Sequence, residues 1–137
     1  MGFAAALTTD PLGSVLVNTS DQILAFDAHN RLRARWRGPE GTRVSAVSNA
    51  RGEVALGWAV SDEPPHVGGV LATVTGSHGP PVRFATRVGS SIATTIDAAG
   101  DGMLFWTDEG PEGKLVVNAH ALATTGPIIQ VARGQAP

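Results

Sequence analysis

The stretch VSAVSNARGEVALGW, Val44 to Trp58, lies without gaps on IATTIDAAGDGMLFW, Ile92 to Trp106, 48 positions further on. Ala50, Gly52, Leu56 and Trp58 meet Ala98, Gly100, Leu104 and Trp106, while Asn49 meets Asp97 and Glu53 meets Asp101. The match continues in GPPVRFATRVG, Gly79 to Gly89, and GPIIQVARG, Gly126 to Gly134, at an offset of 47. A fainter copy, AALTTDPLGSVLVNT from Ala5 to Thr19, aligns its Gly13 on Gly52 at an offset of 39. Self-similarity at such a period marks a stacked repeat architecture, in which each copy is one supersecondary unit covered by its neighbours.

Each copy reads as four short strands. In the second, Val44 to Val47, Glu53 to Val60, Gly69 to Thr75 and Pro81 to Val88 are separated by clusters of turn residues, with Gly68-Gly69 standing at the entry to the third strand. The third copy gives Ile92 to Asp97, Gly102 to Asp108, Lys114 to Ala121 and Pro127 to Arg133. In the first, Ser14 to Ser20 and Gln22 to Ala28 meet around Asp21, and His29-Asn30 turns the chain into Arg31 to Arg37. Asn49 and Asp97 are suited to cap their turns, and Gly52 and Gly100 to supply the positive φ that closes them. The second strands, VALGWAV and MLFWT, are apolar on both pleat faces, so each needs cover on both sides.

The expected fold is therefore all-β, with three four-stranded antiparallel units over residues 3–41, 42–89 and 90–137. Four-stranded repeats of about 40 to 50 residues that cover one another face to face match the β-propeller blade. The elements NARGEVALGW and DAAGDGMLFW, followed by GSHGPPVRFATRVG and ATTGPIIQVARG, resemble the blade repeats of large bacterial β-propeller proteins. That resemblance implies a partial propeller or half of a six-bladed ring, and an exported or cell-surface setting. It implies a structural or protein-interaction module rather than an enzyme. The other implied reading is a piece of a carbohydrate-active or calcium-binding propeller enzyme whose catalytic residues lie outside these blades. The Ser-x-Asp-x-Gly-x-x-Trp pattern of sialidase-type repeats is missing from both clear copies.

Composition narrows the chemistry. With hydrophobic residues at 42% and charged ones at 16%, the 137 residues have ample surface to bury as one domain. The net charge of -2 offers no global attraction to nucleic acid, so no specific nucleic-acid partner is expected. The chain has no cysteine, which excludes disulfides and thiolate metal sites. No apolar run approaches the roughly 20 residues of a membrane span. The opening MGFAAALTTDPLG lacks a basic segment, so a secretory signal is not expected there.

Individual side chains give few candidates. His29, His66, His78 and His120 share no ligand spacing, being placed in a hairpin turn, two loops and a strand, and no metal or cofactor is expected. Asp108, Glu109 and Glu112, and separately Asp97 and Asp101, have the oxygen chemistry calcium prefers, but the first three read as a solvated acidic loop and the other two as part of a turn motif that explains both copies. Asp62 and Glu63 occupy the matching loop of the second copy. No G-x-S-x-G or phosphate-binding loop is present. The most unusual feature is Arg31, Arg33, Arg35 and Arg37, alternating with Leu32, Ala34 and Trp36. Period 2 puts the four guanidiniums on one strand face as an anion-binding candidate, and the apolar residues on the other. The competing expectation, which we prefer, is an edge strand kept from aggregating by its charge. Trp58 and Trp106, at one repeat position, are expected to be buried between units. Apolar residues at both ends, Phe3 to Leu7 and Pro127 to Val131, predict exposed terminal faces covered by further blades or by a homodimer that makes six.

Overall fold

The computed structural model describes residues 6–9, 15–18, 22–37, 42–61, 64–74, 78–87, 91–123 and 127–133. Twelve strands form three four-stranded antiparallel sheets, each made of consecutive strands. Sheet 1 contains β1 (Ala6–Thr9), β2 (Val15–Asn18), β3 (Gln22–Phe26) and β4 (Leu32–Arg37). Sheet 2 contains β5 (Thr42–Ser48), β6 (Glu53–Val60), β7 (His66–Thr73) and β8 (Val82–Ala85). Sheet 3 contains β9 (Ile92–Ile96), β10 (Gly102–Glu109), β11 (Leu115–Ala121) and β12 (Ile129–Arg133). One 3-10 turn, Pro111–Gly113, interrupts the link from β10 to β11, and no α-helix occurs among the described residues. Each sheet falls inside one of the three repeat units.

Sheet 2 lies between the other two, and strand periodicity sorts its side chains. Val54, Leu56, Val70 and Ala72 pack with Leu16, Ile23, Ala25 and Ala34 of sheet 1, joined by Trp58 and Trp36. From the opposite pleat face, Ala55, Ala59, Val67 and Phe84 pack with Leu104, Trp106 and Leu122 of sheet 3. Alternate residues of β6 thus serve two separate cores, which is why that strand is apolar throughout. We call the face that looks toward the preceding sheet the front and the other the back.

The turns follow from side-chain chemistry. Asp27 Oδ1 accepts the N–H groups of His29 and Arg31, Asn49 Oδ1 those of Arg51 and Glu53, and Asp97 Oδ1 those of Ala99 and Asp101. Asn30, Gly52 and Gly100 take the left-handed conformation each turn needs, at φ of 61°, 76° and 91°. Of the three capping residues only Asn49 also has an amide to donate. Its Nδ2 reaches the Asp97 carbonyl at 2.9 Å and Glu53 Oε1 at 3.1 Å, tying the turn of sheet 2 to that of sheet 3. Asn49→Asp would keep the turn but lose both donated bonds and set a carboxylate beside Glu53. We expect a loss of about 1–3 kcal/mol, the cost of stranding buried polar groups. Asp97→Asn, at an exposed acceptor, should stay within about 0.5 kcal/mol, and urea melts of the two variants check both values.

Four expectations are corrected. Gly68 and Gly69 lie inside β7, which begins at His66, instead of at its entry. They are there because neighbours need the space: a Cβ on Gly68 would meet the Trp58 indole at 2.3 Å, and one on Gly69 would meet Leu122 Cδ2 at 2.5 Å. The shift also makes His66 the first residue of a strand instead of a loop residue. The alternation of residues 31 to 37 breaks at a bulge: Ala25 pairs with Ala34 but Phe26 with Leu32, leaving Arg33 as an extra residue. Leu32 is consequently 46% exposed instead of joining Ala34 and Trp36 in the core. Finally, Trp106 is buried but Trp58 only half-buried.

Candidate functional site

The arginine strand is at the margin of its sheet, since among the described residues β4 pairs only with β3. Arg31, Arg33, Arg35 and Arg37 are all exposed. They do not form one uniform face: Arg31 precedes β4, and its Nε lies 3.5 Å from Asp27 Oδ2. The Arg31 N–H bonded to Asp27 outweighs desolvation and, with the His29 N–H and the Arg31 charge, holds that carboxyl below its ordinary 3.8. Arg33 occupies the bulge, while Arg35 and Arg37, opposite Leu24 and Gln22, share the front of sheet 1.

Of the acidic candidates, Asp97 and Asp108 serve as turn closures. Asp108 Oδ1 accepts the N–H groups of Arg87 and Glu109, so it joins the end of β10 to the chain leaving β8. Glu112 lies 3.8 Å from Lys114 Nζ. Asp62 and Glu63 are outside the described residues. Among the described residues no three His, Cys, Asp or Glu side chains gather in a group that could hold a metal ion. His29 is exposed, and His66 and His78 place Nδ1 3.0 Å from the carbonyls of Pro64 and Gly79. His120 is buried in β11 with Nδ1 2.6 Å from the Ala121 carbonyl and its ring 4.6 Å from that of Phe84.

Between sheets 2 and 3, Trp106 stacks on Phe84 with centroids 5.0 Å apart and planes at 10°. Trp58 and Trp36 stand 48 positions earlier at the junction of sheets 1 and 2, where they line an apolar cavity of about 90 Å³ with Ile23, Val44, Leu56 and Val70. The imperfect closure accounts for the half-buried state of Trp58. The spacing of 48 that relates Trp58 to Trp106 also relates Trp36 to Phe84.

The most extensive feature is a pair of sheet faces with no neighbour among the described residues. The front of sheet 1 presents Val15, Val17, Leu24 and Phe26, paired by register as Val15 with Phe26 and Val17 with Leu24. The back of sheet 3 presents Met103, Phe105, Thr107, Val117 and Ile129. Ile129 is 53% exposed there and Leu115 is equally bare. The apolar start of the chain at Phe3 to Ala5 is outside the described residues.

No protein-family model matches the chain, and no curated protein matches it at a significant level. Its fold is similar to the crystal structure of a protein of unknown function from Bacteroides caccae, with a TM-score of 0.59 and 12% identity. The similarity covers 98% of this chain and 61% of that one, so the chain spans less than two thirds of that protein's length. At this identity the likeness concerns the fold alone.

Proposed function

We propose that the three sheets are consecutive blades of a β-propeller and that the chain is a non-enzymatic structural or protein-interaction module. The supporting observation is the coverage of sheet 2 on both faces through repeat-equivalent positions, while sheets 1 and 3 each have one half-buried apolar face that meets no other sheet among the described residues. Bare apolar faces are where such a module meets a partner. Among the described residues the carboxylates of Asp27, Asp97 and Asp108 are committed to turns, and the guanidiniums are spread along an edge. The test is a calorimetric titration with calcium and with heparin oligosaccharides, alongside a screen of fluorogenic glycosides. The module reading expects no calcium heat, no turnover, and only weak heparin binding that fades with salt, since a few exposed arginines on a chain of net charge -2 attract locally at most. Tight calcium binding or glycoside turnover would replace it by the carbohydrate-active reading. Sub-micromolar, salt-resistant heparin binding would make β4 an anion site.

A further inference from the structure

The two apolar faces without a neighbouring sheet among the described residues are of opposite kind. Val15 and Val17 hold the repeat positions of Val54 and Leu56, and Phe26 and Leu24 stand opposite them as Ala72 and Val70 stand opposite Val54 and Leu56. Those four residues of sheet 2 are buried against the back of sheet 1. Likewise Met103, Phe105 and Thr107 hold the positions of Ala55, Gly57 and Ala59, the back of sheet 2 that receives sheet 3. Val117, opposite Thr107, corresponds to Val67, opposite Ala59, which is fully buried. Among the described residues there is therefore one unmatched front and one unmatched back, and the two junctions within the chain show that fronts seat on backs.

We propose that the back of sheet 3 docks on the front of sheet 1 of a second copy of this chain, and reciprocally, so that two copies close a ring of six sheets. This rests on reading the sheets as propeller blades, for which closure takes about four to eight. Residue sizes at the new junction favour a copy of this chain over an unrelated blade. Gly57 leaves room for sheet 3, since a Cβ there would lie 2.7 Å from Thr94 Cγ2 and 3.0 Å from Leu104 Cδ1. On the back of sheet 3 that position is the bulky Phe105, and on the front of sheet 1 the position of Leu104 is the smaller Val17. Bulk has moved from one side of the contact to the other. Charge opposes the like-on-like arrangements: the front of sheet 1 carries Arg35 and Arg37, and the back of sheet 3 carries Glu109, so front meeting front or back meeting back sets like charges together.

Light scattering on the 14.1 kDa chain at micromolar concentration tests this together with two variants, Val17→Arg on the front and Phe105→Asp on the back. The parent should have twice the chain mass. Each variant alone should run as a monomer with an unchanged strand-rich circular dichroism spectrum and a Kd raised about 30-fold or more, as for a central interface residue. An equimolar mixture of the two should form a two-chain particle, because one intact front still meets one intact back. Ile129→Glu, at an exposed position of the same back, replaces Phe105→Asp if that variant does not fold. A monomeric parent, particles larger than two chains, a variant that pairs as well as the parent, or a mixture that stays monomeric would each overturn the second-copy docking. A folded monomeric parent would leave the blade reading intact, since that reading concerns how the three sheets of one chain are arranged.

Discussion

Replacing Trp106 by alanine is expected to cost about 3–5 kcal/mol in a urea or guanidinium melt, the range for deleting a large core aromatic. The side chain is 2% exposed, stacks on Phe84 and packs with Leu104 and Leu122, so its removal opens a cavity across the junction of two sheets. Sheets 2 and 3 are also held at their ends by the Asn49 bond to the Asp97 carbonyl and the Arg87 bond to Asp108, so they cannot collapse readily onto the gap, which places the loss high in that range. Trp58→Ala should cost less, because Trp58 is half-buried and already borders a cavity. Equal losses would mean that the two junctions are packed alike. A Trp106→Ala loss within about 0.5 kcal/mol of zero, the size of a surface effect, would contradict the packing of sheet 2 on sheet 3.

The second large effect is expected at Gly69. A Cβ there would lie 2.5 Å from Leu122 Cδ2 and 2.8 Å from the Leu56 carbonyl oxygen. The leucine can move; the backbone oxygen belongs to the central strand pair and cannot move without breaking register. Gly69→Val should therefore cost about 3 kcal/mol or more, at or beyond the upper end of overpacking losses. Gly68→Ala is expected to act differently, by displacing the Trp58 indole and shifting its fluorescence toward that of a solvated tryptophan. Gly79→Ala is the control, since its nearest neighbour, the Leu71 carbonyl oxygen, is 3.9 Å away. If all three variants melt with the parent, β7 is not seated between two covered faces.

Some of this arrangement is visible in single residues. Glu53 to Val60 is read to the residue because its apolar character on both pleat faces has one physical explanation, cover from two sides. The turns are equally legible, since an Asn or Asp followed three residues later by Gly uses a hydrogen bond and a positive φ that are entirely local. Gly68-Gly69 is read wrongly as the entry to a strand because a glycine pair looks the same whether it frees the backbone or vacates space for the indole of Trp58 and the side chain of Leu122. Arg33 is misread for a similar reason: period 2 assumes even pairing, and a bulge depends on the partner strand. The bare faces are only half legible. Ile128, Ile129 and Val131 are apolar at the end of the chain. Phe105, however, looks like any core aromatic until no sheet among the described residues is found to cover it as sheet 3 covers its repeat equivalent.

The central claim is that the three sheets turn about one axis as blades, and a crystal structure of the 137-residue chain tests it most directly. The account predicts that each sheet is rotated by about 60° from the last around a common axis, as six blades require. It also predicts that β1, β5 and β9 line the inner side and β4, β8 and β12 the outer. Three sheets stacked in a straight line, or strands of one sheet paired along the edge of another, would contradict it.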